Sequence, residues 1–140
     1  MLIMKSFKSG IFILCVMFSF VAGVAAKAAF DGPTKPKGIT SKTLAEVLLS
    51  KEVPDLDGRN FRMRYASIAP GGIVPVHSHA GRPGLVYVIS GEIIEHRSDQ
   101  DAPKIHKAGS FTVEADSISH WWENKGDEPT NLVLVDVYKK

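Results

Sequence analysis

Cysteine is almost absent from this chain of 140 residues: the single one, Cys15, lies within an apolar stretch near the N-terminus. If that stretch is removed, the remaining chain has no disulfide and no thiolate, so any metal must be held by nitrogen and oxygen donors. A dominant charge is missing too. The formal net charge is +2, and no basic stripe of the kind that follows a phosphate backbone is present, which argues against a nucleic-acid partner. There is no internal repeat and no low-complexity tract. A composition of 44% hydrophobic and 23% charged residues excludes disordered, collagen-like and coiled-coil classes, and the length suits one domain with one core.

The only long apolar run, Gly10 to Ala22, is short of the ~20 residues a membrane helix needs. Lys5 and Lys8 precede it, and small residues come after it, with Ala26-Lys27-Ala28 as an A-x-A cleavage site and Val24-Ala25-Ala26 as a competing one. This is the anatomy of a cleaved signal peptide over residues 1–28, and it predicts a periplasmic or secreted protein with no membrane attachment. Cys15 follows Ile13-Leu14 and lacks the small residue that precedes a lipid-modified cysteine. Losing Lys5, Lys8 and Lys27 from 17 basic residues leaves 14 against 15 acidic ones, a net charge of about −1.

Residues 29–56 read as an N-terminal leader and edge segment. Ala29 to Thr40 is rich in Pro, Gly and Lys and suggests a loose linker. Ser41 to Glu52 fits either a short helix opened by a capping box at Thr43–Glu46 or an edge strand; the strand is preferred because the remainder of the chain has a β pattern. Residues 57–140 read as the domain proper. Phe61 to Ala69 alternates, Pro70-Gly71-Gly72 is expected to break that strand, and Ile73 to His79 resumes it. Further strands are expected at 85–89, 92–96, 104–107, 110–114, 120–123 and 131–138. Eight or nine short strands separated by frequent turns predict an antiparallel sandwich or barrel, closed as a jelly roll.

Chemistry concentrates in two stretches. Gly71 to Gly91 carries His77 and His79, two residues apart on an extended run and therefore on one face. Gly109 to Asn124 carries His120, with Trp122 and Asn124 in the same strand parity. Together the stretches resemble the two motifs of the cupin superfamily, small β-barrel jelly rolls. Gly71, His77, His79 and Gly91 fit the first motif; Gly109, His120 and Asn124 fit the second, with Ala115 and Ser117 where Pro and Gly are usual. The resemblance covers roughly Phe61 to Tyr138.

The resemblance implies a single-domain cupin barrel and a metal held by His77, His79 and His120. The glutamate that usually completes the first motif is replaced by Gly84, and no neighbouring acid in the Ala-Gly-Arg-Pro-Gly loop substitutes for it. Three neutral imidazoles suit a divalent transition metal (iron, zinc, manganese, nickel or copper) and leave it open positions and its full charge. An anionic small molecule is then the natural ligand, with Arg82 beside it and Gly84, Trp122 and Asn124 as pocket candidates. Trp121 and Tyr87 have the outward parity, which would suit a homodimer. Asp136, amid LVLVDVY, needs a partner if buried. His96 and His106 fall outside both motifs and are expected to be exposed. Two functions fit: an exported metalloenzyme, for which the resemblance suggests an oxygenase type, or a non-catalytic module binding a small ligand or a metal. A purely structural barrel would leave the histidines without a role.

Overall fold

The computed structural model describes residues 30–140; the expected signal peptide at residues 1–28 lies outside them. Among the described residues no helix is long and apolar enough to cross a membrane.

Strand periodicity sorts side chains into an inside and an outside. In β3 (Gly84–Ser90), Gly84, Val86 and Val88 are buried while Leu85, Tyr87 and Ile89 are exposed. Around it lie β1 (Lys37–Leu48), β2 (Arg59–Ser78), β4 (Glu92–Arg97), β5 (Lys104–Lys107), β6 (Phe111–Glu114), β7 (Ser119–Glu123) and β8 (Thr130–Lys139). All pairings are antiparallel, in the order β5-β4-β7-β2-β8-β3-β6 with β1 added on β2. This is the all-β jelly-roll barrel that the strand count predicts. Its core is Ile68, Val86, Val88, Ile93, Trp122 and Leu132, each side chain contributing roughly 1.5–3 kcal/mol by leaving water.

β2 ties the barrel together because it pairs on both sides of a corner. Arg59–Ile68 pairs with β8 and, on the other edge, with β1; Ile73–Ser78 pairs with β7. Pro70-Gly71-Gly72 therefore does not end a strand, as the sequence suggested, but bends one. Gly71 has φ +67°, and a Cβ on Gly72 would stand 2.7 Å from the Ala69 carbonyl oxygen, so the bend requires glycine. Asn124 clasps the bend: its carbonyl accepts the Gly71 N–H (2.8 Å) and its own N–H donates to Gly72 O (3.0 Å).

A second irregularity decides the site. Between Val74, opposite Trp122, and His77, opposite His120, the β2–β7 register shifts by one residue. Upstream, Ala66 and Ile68 point inward; downstream the inward side passes to His77 and His79. One extra residue in a strand reverses its faces.

The leader is not loose. The Pro33 carbonyl accepts the Val76 N–H at 2.8 Å, and Gly32 lies so close to Trp121 that a Cβ there would fall 2.4 Å from the indole. β1 begins at Lys37, inside the stretch read as linker, and runs to Leu48, the strand preferred over a capped helix.

Candidate metal centre

His77 and His120 sit opposite one another on β2 and β7, and His79 follows at the end of β2. Their Nε2 atoms converge, 3.0 Å apart for His77 and His120 and 3.2 Å apart for His77 and His79. Each Nδ1 is already engaged with an oxygen. His77 Nδ1 faces Pro75 O at 2.9 Å, His79 Nδ1 faces Arg82 O at 2.9 Å, and His120 Nδ1 faces Glu95 Oε1 at 2.7 Å. These acceptors place the proton on Nδ1 and leave the lone pair on Nε2. Burial, foremost, pulls His77 and His79 down to about 4, so both rings are neutral at pH 7. Lone pairs then meet with no proton between them, an arrangement that a cation relieves. Metal–nitrogen bonds of about 2.0–2.1 Å put neighbouring ligand nitrogens about 2.9–3.4 Å apart, which these separations match. The donor set fits a transition metal.

Behind His120 lies a network the sequence did not disclose. Glu95 is fully buried and accepts from His120, from His106 Nε2 (2.8 Å), from the Thr112 hydroxyl (3.2 Å) and from Arg97 Nη1 (3.3 Å). Burial alone would raise this carboxyl, but the His106 and His120 hydrogen bonds outweigh it and hold Glu95 at about 2. The Trp122 indole N–H also points at His120 Nδ1 (3.1 Å), but two hydrogens cannot share that contact, and the ionised carboxylate is the stronger partner. His106 is thus not exposed but 1% accessible, stacked near Trp122. Nor is His96 free on the surface: it stacks on Trp121 at 3.7 Å and bonds Glu123 at 2.9 Å. Trp121 faces away from the cavity.

An acid does stand where Gly84 leaves room, contrary to the expectation from the loop alone. Glu114 comes from β6, directly opposite Gly84 in the ladder. Its Oε2 lies 3.2 Å from His79 Nε2 and its Oε1 3.4 Å from His120 Nε2. A Cβ on Gly84 would meet Glu114 Oε2 at 3.4 Å and the Val135 carbonyl at 3.0 Å, so Gly84 opens no space for a bulky ligand. Burial raises the Glu114 carboxyl above its ordinary value.

His77 and His79 open on a cavity of about 300 Å³ lined also by Arg64, Arg82, Glu114, Trp122 and aliphatic side chains including Val86 and Leu134, with His120 fully buried behind them. Arg82 Nη2 is 3.4 Å from His79 Nε2. Asp136, which the sequence marked as needing a partner, gathers arginines: Arg62 binds it through two bonds of 3.0 and 2.7 Å, Arg64 at 3.2 Å and Arg82 at 3.7 Å. Those bonds, Arg62 first, outweigh burial and keep Asp136 below its usual range. Three cations against one anion leave this end of the cavity positive. Arg64 Nε is the one buried side-chain polar atom without a partner among the described residues.

Asn124 is not a pocket residue. It is 1% accessible, and its amide is consumed by Ile68 O (2.8 Å), Glu128 O (2.9 Å) and the Gly126 N–H (2.9 Å). Tyr87 points outward. The residues that sequence reasoning missed share one signal, a polar residue at an inward position of an alternating strand: Glu95 two places after Ile93, and Glu114 two after Thr112.

A family model described as a cupin domain matches residues 64–138. The chain is 34% identical over 89 residues to an oxalate-binding protein of Thermotoga maritima, covering 63% of this chain and 69% of that one. It is 27% identical over 109 residues to germin-like protein subfamily 2 member 2 of Arabidopsis thaliana, covering 74% and 50% respectively. Against auxin-binding protein ABP19b of Prunus persica it is 30% identical over 81 residues, or 56% of this chain and 39% of that one. It thus spans about half the length of these plant relatives or less. Among solved structures, the polyketide cyclase RemF of Streptomyces resistomycificus aligns with a TM-score of 0.59 and 18% identity, covering 79% of this chain and 75% of that one.

Proposed function

The chain belongs to the cupin domain family, and from that premise we propose an exported metalloprotein. In this reading His77, His79 and His120 hold one divalent transition metal and a small organic anion binds beside it, with oxygenase-type or other metal-assisted turnover. The convergence of three Nε2 lone pairs, each fixed by an acceptor on Nδ1, carries the proposal. A bound metal supplies Lewis acidity and open coordination positions. The chain's own residues do the rest. Glu95 holds His120 in the tautomer that faces the centre, Arg64 and Arg82 attract a carboxylate, and Trp122, Val86 and Leu134 exclude water from it. The oxalate-binding relative makes oxalate a sensible first ligand to try.

One observation favours a second reading, a binding module without turnover. Besides His77 and His79, Glu114 and two arginines are the only ionisable groups lining the cavity among the described residues, which leaves Glu114 as the sole candidate there for a base. A homodimer through the apolar outer face of β3 and β6, where Leu85, Tyr87, Phe111 and Val113 are exposed, belongs to either reading.

The test is elemental analysis of the mature protein, without a His tag, beside a His77→Ala/His79→Ala variant. About one equivalent of transition metal, lost in the variant, is expected. A folded wild type that takes up none would end the proposal. The metal found selects the turnover assay, oxygen uptake for iron or copper and hydrolysis for zinc. Titration with oxalate, weakened at least about tenfold by Arg82→Ala, tests the anion.

A further inference from the structure

We infer that Glu114 is the fourth protein ligand of the metal centre, a carboxylate supplied from β6. The inference rests on the metal reading above and goes beyond its three histidines. Its basis is a count of donors. Two carboxylate oxygens of Glu114 and the Nε2 atoms of His79 and His120 meet at 3.2 and 3.4 Å, and His77 Nε2 lies within 3.2 Å of both rings. All of these are acceptors once the Nδ1 atoms carry the ring protons, and Arg82 Nη2, at 3.4 Å, is the only N–H group near them among the described residues. One proton on Glu114 would satisfy a single contact. A cation held by the three imidazoles would also answer the carboxylate that lies against two of them.

Backbone geometry explains why the acid comes from β6. Gly84 and Glu114 are paired across the β3–β6 ladder, and the site where a side chain on residue 84 would begin points at Glu114 Oε2. A Cβ on residue 84 would press on the Val135 carbonyl at 3.0 Å and touch Glu114 Oε2 at 3.4 Å, so the glycine at 84 leaves the acid at 114 room to face the histidines. Three histidines with one carboxylate reduce the charge of a divalent ion from +2 to +1, while the arginines stay on the anion's side of the cavity.

The experiment compares wild type, Glu114→Gln and Glu114→Asp, loaded with cobalt(II) and titrated against a competing chelator. Glutamine keeps the shape and supplies the N–H that a protonated glutamate would, so it separates a ligand from a hydrogen-bond donor. A ligand predicts that Glu114→Gln weakens metal binding more than about a hundredfold, beyond the 10–100-fold typical of a supporting contact, and alters the cobalt absorption spectrum. Glu114→Asp, which retains the carboxylate, should bind more tightly than the glutamine variant; it also carries the test if Glu114→Gln does not fold. A Kd within about threefold of wild type and an unchanged spectrum in Glu114→Gln would overturn the assignment while leaving the three-histidine site standing. A folded wild type that binds no cobalt would overturn both.

Discussion

Two buried glutamates flank His120, and their surroundings are opposite. Glu95, on the Nδ1 side, is met by two histidines, a threonine and an arginine; its charge is compensated and its carboxyl held at about 2. Glu114, on the Nε2 side, meets only lone pairs, and burial pushes its carboxyl upward. One is a finished structural device and the other is an uncompensated charge, the one a cation would answer under the proposal above. Regular strand geometry delivers both, so what distinguishes fold from function here is the balance of donors and acceptors, not depth of burial.

The strongest way to break that comparison is to remove each acid from the metal-free protein. Glu95→Ala leaves buried donors on His106 and His120 unanswered and should cost about 3–5 kcal/mol in urea unfolding. Glu114→Gln removes an uncompensated charge and should unfold within about 1 kcal/mol of wild type, or later. Equal losses in the two variants would erase the distinction.

Acid titration sharpens it next. His77 and His79 bind protons near 6.5 when unfolded but only at about 4 when folded. Apo stability is therefore complete above pH 6.5 and drains away as pH falls toward 4, and Glu95 extends the loss from about 4.5 toward 2. Glu114, with its folded value raised, acts the other way and gives back stability on protonation. Glu114→Gln should make the acid-side loss steeper in thermal melts; a shallower profile would contradict the account.

Asn124→Ala probes a polar residue that sits in a cupin motif yet has no cavity role. About 1–3 kcal/mol of stability should disappear from the β2 corner, with metal affinity unchanged by chelator competition. Smallest in its effect on the fold is Phe111→Glu, at the most exposed large apolar side chain among the described residues, 68% accessible. Monomer stability should move by no more than about 0.5 kcal/mol, while a dimer, if sedimentation finds one in wild type, should dissociate.

The barrel and the three histidines were legible because both depend on short-range rules. Alternation marks strands, and residues two apart share a face whichever face it is, so His77 and His79 stay together through the register shift. What the sequence hid depends on pairing between distant strands. Glu114 looks like any strand acid until β6 is laid against β3 and it falls opposite Gly84. Arg62 and Asp136 likewise meet only because β2 and β8 place them in register. His106, in a four-residue strand, offered too little pattern to assign a side, and Asn124 was claimed for the pocket because its motif position said nothing of the corner it clasps.

The one-residue register shift in β2 has a consequence for how such a chain can vary. It sets two reading phases in one strand: upstream, the phase packs the core, and downstream it brings His77 and His79 to the inside. Replacing side chains on either segment leaves the phases intact, but deleting a single residue between Val74 and His77 would turn both imidazoles to the outside while leaving the composition nearly unchanged. Length, far more than identity, sets the phase there, whereas the polar loop at residues 99–103 joins two paired strands and carries no such register.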